Sequence, residues 1–302
     1  MPFRVLRELT NVSQVKPGGV TTITFDPGPK YHAALLHLKD VALSDITEIR
    51  LKANSEVIHR YTGTQLDILN RLRGFQAYTG GRVASKPDGG FLRVPFDRPR
   101  LRNRVLEEDG GINTGQPDPN TGDMITVLKM EIQFGPQTSP TAYAPEIVKA
   151  SAFQSQGTAD GPGTIRRIMQ TTRSAQGAGR ITWSEFETPG SKFMGLVSAV
   201  MIPDQNAVTE VEVFRKQDSV FLATAEENDY FLTDGYEGRQ PIAGVYPILW
   251  DLDGYGGNVL ELARILDNGQ MAAITSGDYR FKVNVDGAMQ CTMLMEYMGR
   301  LK

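Results

Sequence analysis

Leu128-Lys129-Met130-Glu131-Ile132-Gln133-Phe134 sets an apolar residue at every second position and a polar one between. Successive side chains on a β-strand point to opposite faces, so this run is a strand with one buried face and one wet face. The same alternation recurs on both sides of it. Leu92, Val94 and Phe96 alternate with Arg93 and Pro95, and Tyr279, Phe281, Val283 and Val285 alternate with Arg280, Lys282 and Asn284. Strands of this kind are expected from about Val20 to Phe134 and again from about Phe193 to Gly299. Helical periodicity is scarce. Three short helices are expected: one capped by Thr64 and running through Leu66, Leu69 and Leu72 to a stop at Gly74, one opened by Thr164 through Ile165 and Met169, and one capped by Asn258 and ending before Gly269. Many short strands with few helices indicate a sandwich or barrel, and 31 Gly with 17 Pro supply the turns between them.

The two strand-rich stretches repeat each other. When Lys30 is laid on Lys192, an offset of 162, Tyr31 falls on Phe193, Leu35 on Val197 and Leu38 on Val200. At the same offset Ile46-Thr47-Glu48-Ile49-Arg50-Leu51 falls on Val208-Thr209-Glu210-Val211-Glu212-Val213. Further along, with gaps, Phe96-Asp97 resembles Trp250-Asp251, and Met130-Glu131-Ile132 resembles Met295-Glu296-Tyr297. Shared alternation is common among β domains, but an identical Thr-Glu within matched strands at constant offset points to duplication. A duplicated β domain of about 150 residues fits two tandem jelly rolls. The expected division is residues 1–150 for an N-terminal arm and first jelly roll, 151–185 for a linker with a short helix, and 186–302 for the second jelly roll. The linker assignment rests on Gln154-Ser155-Gln156-Gly157, Gly161-Pro162-Gly163 and Gln176-Gly177-Ala178-Gly179. A second long loop is expected from Glu107 to Asp123.

Composition narrows function. Net charge is −3 with 32 Lys+Arg against 35 Asp+Glu, which does not suit a protein that wraps a genome or reads nucleic-acid sequence. The one cysteine, Cys291, excludes an intramolecular disulfide. Residues 1–13 carry Arg4 and Arg7 but no apolar run of the length a secretory signal needs, and no segment approaches the roughly 18 apolar residues of a membrane span.

Motifs for chemistry are missing. There is no phosphate loop, nucleophile elbow or H-E-x-x-H zinc motif. His32 and His37 are expected on one strand facing opposite sides, so they cannot share a metal, and Cys291 sits among Met289, Met293 and Met295 as a small buried hydrophobe. Asp251-Leu252-Asp253-Gly254-Tyr255-Gly256 begins like a calcium loop, but its twelfth position is Leu262 where a glutamate is required. Asp118, Asn120 and Asp123 are a candidate oxygen set for Ca2+, although turn-forming residues explain the same letters. Arg4, Arg7, Arg166 and Arg167 are candidate contacts to acidic lipid headgroups or a neighbouring subunit; each basic residue near such a surface contributes about 1 kcal/mol, multiplied over a lattice.

Several pieces of this chain resemble the double jelly-roll major capsid proteins of membrane-containing icosahedral phages, especially the corticovirus type. They are Leu9-Thr10-Asn11-Val12 with the Gly18-Gly19 turn, Gly28-Pro29-Lys30-Tyr31 entering a strand, Thr164-Ile165-Arg166-Arg167 between the halves, and the closing Met295-Glu296-Tyr297-Met298-Gly299. The resemblance implies a homotrimer whose six jelly rolls form a pseudo-hexagonal tile of an icosahedral virion capsid, made in the host cytoplasm. It implies contacts with copies of itself, with other capsid and vertex proteins and with an internal viral membrane, and no enzymatic activity. Some proteins similar to this bind Ca2+. Two alternatives remain open: a virion spike or vertex protein, or a carbohydrate-binding or glycan-cleaving double jelly roll. Glycan cleavage needs two carboxylates in one cleft. Glu48 and Glu210 lie on matched strands of separate domains, and Trp183 and Trp250 are as readily core as sugar platforms.

Overall fold

Alternation becomes a fold where two such strands bury their apolar faces together, and the computed structural model shows this happening twice. The structure describes residues 4–81, 89–98, 100–108, 110–119, 122–136, 144–184, 193–265, 271–273 and 279–300. The chain divides into two compact units at Arg167/Ile168.

The first unit contains strands β1 (Val5–Glu8), β2 (Val20–Phe25), β3 (Lys30–Lys39), β4 (Ile46–Ala53), β5 (Glu56–Tyr61), β6 (Gly90–Pro95), β7 (Ile112–Asn113), β8 (Leu128–Phe134) and β9 (Glu146–Ser155), with helices α1 (Gly63–Leu72) and α2 (Arg104–Glu108). One sheet runs β1-β9-β3-β6, with β7 added to β3, and the other contains β2-β8-β4-β5 in that order. All the registered pairs are antiparallel, and apart from the β4–β5 hairpin they join strands far apart in sequence, as in a jelly roll. Leu128, Met130, Ile132 and Phe134 are buried while Lys129, Glu131 and Gln133 are not. Rings from both sheets meet inside: Phe25 packs edge-on against Tyr31 at 5.0 Å and against Phe96 at 5.7 Å. The wet face of β4, β5 and β8 carries an ionic ladder, Arg60–Glu48–Arg50–Glu131–Lys52, with N···O distances from 2.7 to 3.3 Å.

The second unit follows the same plan. Strand β10 (Ile165–Ala175) begins in the last residues of the first unit and continues into β11 (Gly179–Trp183), β12 (Phe193–Pro203), β13 (Val208–Arg215), β14 (Asp218–Thr224), helix α3 (Ala225–Asp234), β15 (Tyr246–Leu249), β16 (Leu260–Glu261), β17 (Ala263–Ile265), β18 (Met271–Ala273), β19 (Tyr279–Val285) and β20 (Met289–Gly299). Its sheets run β10-β20-β12-β15 and β11-β19-β13-β14, with β16 on β12 and a β17–β18 hairpin. Strand for strand this is the order of the first unit. The offset of 162 holds to the residue for β4 onto β13 and for α1 onto α3, at both ends of each element. The core gathers Trp183, Leu196, Val211, Val213, Tyr279, Phe281, Met293 and Tyr297 from both sheets.

Both long helices start on the same device. Thr62 accepts from the Gln65 backbone N–H at 3.2 Å while the Gln65 side chain accepts from Thr62 N–H at 2.8 Å, and Thr224 and Glu227 form the same reciprocal pair. Such a box satisfies donors that the first helical turn leaves open. Thr62→Ala should therefore lower unfolding stability by about 1 kcal/mol, read from a urea titration. Gly63, next to the cap, has no room for a side chain: a Cβ there would lie 2.6 Å from the Leu43 carbonyl oxygen and 2.8 Å from Ile46 Cβ. Gly63→Ala is expected to destabilise by about 1–3 kcal/mol despite the better helix propensity of alanine. Its counterpart in the second unit is already Ala225.

Several expectations need correcting. Residues 151–185 are not a linker with a short helix: β9 extends to Ser155, and Ile165–Ala175 and Gly179–Trp183 are strands. The spacing of Ile165, Ile168 and Met169 imitates a helix because the first four residues of β10 are all buried, which erases the alternation that marks a strand. Residues 258–265 are not helical either, since Leu260 and Leu262 are buried around exposed Glu261, a period of two. The cap of α1 is Thr62, two residues before the expected Thr64. The stretch from Glu107 to Asp123 is not structureless, because α2 ends in it and β7 pairs with β3. Asn113 is buried there, and its side-chain amide donates to the carbonyl oxygens of Thr158 and Gly161, both at 2.7 Å.

Candidate functional site

A buried polar cluster of the first unit receives the residue just before the N-terminal strand. Strand β3 supplies His32, the turn after β6 supplies Asp97, and the end of β9 supplies Ser155. Backbone bonds from Phe96 N–H and Asp97 N–H to the His32 carbonyl, at 2.8 and 3.1 Å, clamp the first two together. His32 Nε2 lies 2.8 Å from Ser155 Oγ, His32 Nδ1 lies 3.3 Å from Asp97 Oδ2, and Arg4 Nη2 reaches the same oxygen at 3.1 Å. Arg4 also approaches Glu108 at 3.6 Å. Serine, histidine and aspartate in this order are the groups of a hydrolase triad. Here, however, His32 and Asp97 are fully buried, Ser155 is nearly so, and the guanidinium of Arg4 takes the aspartate. The arrangement ties the chain before β1 to the sandwich by ionic and hydrogen bonds. The three residues are far apart in sequence, and no local signal joins them. His37, five residues along β3, stacks on Phe91 with ring centroids 4.6 Å apart.

The four arginines expected at a lipid or subunit surface separate. Arg166 and Arg167 are buried, at 1% and 4% exposure, and are not surface contacts. Arg166 Nη1 donates to the Pro95 carbonyl at 3.0 Å, its own carbonyl meets His59 Nε2 at 3.0 Å, and Arg167 is ion-paired with Glu56. The reason is their place in β10, whose first residues are enclosed on both faces. Arg4 is held by Asp97 and Glu108. Arg7 alone is exposed, lining an open cavity of about 490 Å³ with Val5, Gly28, Pro29 and residues 154–157.

Of the calcium candidates, Asp118 and Asp123 are brought together: Asp118 N–H donates to the Asp123 carbonyl at 2.8 Å, closing a turn. Asn120 lies outside the described residues. Among the described residues no group of three or more His, Cys, Asp or Glu is placed to hold a metal ion. In the 251–256 turn Asp253 accepts from Tyr255 N–H and Asn258 Nδ2, the work of a turn residue. Glu48 is taken up by Arg50 and Arg60, and Glu210 by Asn284, so the two sit in separate polar networks. Trp183 is core, and Trp250 is half-buried with its ring 6.4 Å from Phe281.

Cys291 is fully buried on β20, and burial pushes its thiol up to about 12. A thiolate is the reactive form, so at pH 8 the native protein should resist a thiol reagent and react stoichiometrically only after denaturation. Fast labelling of the native chain would contradict the buried placement.

Among the described residues neither unit assembles a reaction centre; what the two units share is the strand order of a β-sandwich. Models of the viral coat protein P2 N-terminal and C-terminal domains match residues 6–155 and 165–301. The chain belongs to the viral coat protein P2 family. It is thus a major capsid protein of a virion shell, a structural protein and not an enzyme. The two matched segments fall on the two jelly rolls and leave out the turn between β9 and β10. No curated protein sequence matches significantly. Among solved structures this coat protein is similar to the major capsid protein P2 of bacteriophage PM2, with 18% identity, a TM-score of 0.76, and 99% of this chain and 98% of that one covered. It is also similar to the STIV major capsid protein, at 9% identity and a TM-score of 0.61 over 98% and 97% of the two chains. A third likeness, to the PBCV-1 virus capsid, has 8% identity and a TM-score of 0.52 over 98% and 92%. These likenesses carry the fold, a double jelly roll.

Proposed function

We propose that this coat protein builds its shell as homotrimers, each presenting six jelly rolls as a pseudo-hexagonal tile, and that the shell encloses an internal lipid membrane and joins separate vertex proteins. The observation that carries the trimer is the internal duplication, kept to the residue at offset 162 for β4/β13 and α1/α3. Two like sandwiches per chain turn threefold symmetry into six near-equivalent sides, and closed rotational symmetry is how identical subunits form a finite tile. Light scattering behind size exclusion should give a species of three times the 33.3 kDa subunit, across several salt and calcium concentrations, with a six-sided outline on imaging. A chain that stays monomeric at every concentration would remove the proposal.

The membrane part rests on the family resemblance and on Arg7, the one candidate arginine left exposed. Co-flotation with vesicles containing anionic lipid should fall at least severalfold for Arg7→Glu, because single basic residues contribute about 1 kcal/mol each and the trimer presents three. Equal flotation of both proteins would separate Arg7 from any lipid contact.

A further inference from the structure

Helices α1 and α3 are equivalent by the repeat, yet they are finished differently. Ile68 and Leu69 of α1 correspond to Tyr230 and Phe231 of α3. In the first unit the chain leaving α1 folds back over the helix: Tyr78 N–H donates to Asp67 Oδ1 at 2.7 Å and Tyr78 OH to the Val41 carbonyl at 2.8 Å. Ile68 and Leu69 end up buried. In the second unit the connection is shorter, from Gly235 to Val245 where its counterpart runs from Arg73 to Gly89. It touches the helix on one side, where Arg239 N–H donates to the Leu232 carbonyl at 2.7 Å, and leaves Tyr230 and Phe231 64% and 47% exposed with their rings 6.4 Å apart. Exposed paired aromatics on a rigid element are the usual anchors of a protein interface.

The charges around them indicate what docks there. Helix α3 contains Glu226, Glu227, Asp229 and Asp234 and no basic residue. Glu227 is spent on the cap; Glu226, Asp229 and Asp234 make no ion pair among the described residues. Asp229 stands at a cavity of about 350 Å³ lined by Ala225, Ile242, Val245 and Tyr246. Desolvation there raises its carboxyl above the ordinary value, with no cation to offset it. An apolar hollow with a carboxylate at its edge fits the stem and head of an arginine. The same chain carries the complement in its first unit. After β6 it reads Arg98-Pro99-Arg100-Leu101-Arg102-Asn103-Arg104-Val105, with Arg100 and Arg102 exposed and Val105 63% exposed.

We propose that the open face of α3, with Tyr230, Phe231 and Asp229, docks on the Arg100–Val105 segment of a second copy of this chain. Two different surfaces meeting head to tail close a ring when the rotation between copies is a whole fraction of a turn, one third here, whereas two copies of α3 meeting each other would oppose like charges. The inference rests on the trimer proposed above and adds which surfaces make it.

The experiment is charge reversal on the full chain, with light scattering at fixed concentration and salt and a thermal melt to verify folding. Glu226→Lys with Asp229→Lys should lower the trimer association constant by about tenfold or more, as close interfacial charge pairs do, and release monomer. Adding Arg100→Glu and Arg102→Glu to the same chain should restore the trimer. Tyr230→Ser with Phe231→Ser, folded by its melt, should also release monomer. A wild-type trimer that survives both the lysine pair and the serine pair overturns this contact and leaves the trimer standing, and so does failure of the glutamate pair to restore it. A wild-type monomer overturns both.

Discussion

Asp97→Ala should cost the first jelly roll about 3–5 kcal/mol of stability, enough to unfold a marginal domain. The Asp97 carboxylate is fully buried and lies 3.1 Å from Arg4 and 3.3 Å from His32. Removing it leaves the Arg4 guanidinium with the longer 3.6 Å contact to Glu108, and a buried imidazole facing a hole. The loss is therefore the desolvation cost of the abandoned groups in addition to the missing attraction. Asp97→Asn keeps the shape without the charge and should fall between alanine and wild type. Arg4→Ala should be milder, because Arg4 is partly exposed and its removal leaves Asp97 beside His32. Urea unfolding of the three variants at one pH tests the order. A loss under about 1 kcal/mol for Asp97→Ala would mean that water replaces the anchor at little cost. Because Arg4 directly precedes β1, the same variant should also make the N-terminal strand more sensitive to protease.

The second large effect is expected in the other core. Trp183 is fully buried on β11, paired in register with Phe281 of β19, at the centre of the cluster that joins both sheets. Trp183→Ala should cost about 3–5 kcal/mol, from lost transfer energy and an unfilled cavity. Trp183→Phe should cost much less. Phenylalanine fills most of the volume and removes an indole N–H that has no hydrogen-bond partner among the described residues. Equal losses for alanine and phenylalanine would show that the indole shape, not the buried volume, holds this core. Trp250, the tryptophan that both variants keep, lies in the same unit, so its fluorescence follows this unfolding directly.

Alkali probes both cores. Burial pushes Tyr31 and Tyr78 up to about 12 and raises Tyr61 and Tyr246 further. Raised folded values mean that the native state holds protons the unfolded chain has released. Stability is thus intact below pH 10, the unfolded value, and falls as pH rises from 10 to 12 and above. Tyrosinate absorbance should therefore appear late and together with loss of structure. Ordinary titration of these four tyrosines in the folded protein, centred near pH 10, would sink the prediction.

How much of this was legible can be read from individual elements. Strands β6, β8 and β19 were visible because each is wet on one face, and a half-buried strand writes its geometry into the sequence with a period of two. Strand β10 was not: Ile165, Arg166, Arg167 and Ile168 are all buried, and two adjacent arginines look like surface. Helix α3 carries its signal in its cap and not in apolar periodicity. Thr224-Ala225-Glu226-Glu227 is a capping box at the same offset of 162 from Thr62-Gly63-Thr64-Gln65. The duplication pointed to the right place, but helix was expected at Asn258, where Leu260 and Leu262 alternate as a strand does.

By itself, then, the sequence determined that this is a duplicated all-β chain, because periodicity and spacing are local properties, and its short family pieces carry the resemblance to coat proteins. Only the tertiary structure decided which charges are surface and which are core. Arg166 is buried because strands β5 and β6, distant in sequence, bring His59 and Pro95 to it, and Asp97 finds His32 and Arg4 across more than sixty positions of chain. The open face of α3 is decided in the same way, by a connection too short to cover it. Burial depends on neighbours that only folding supplies.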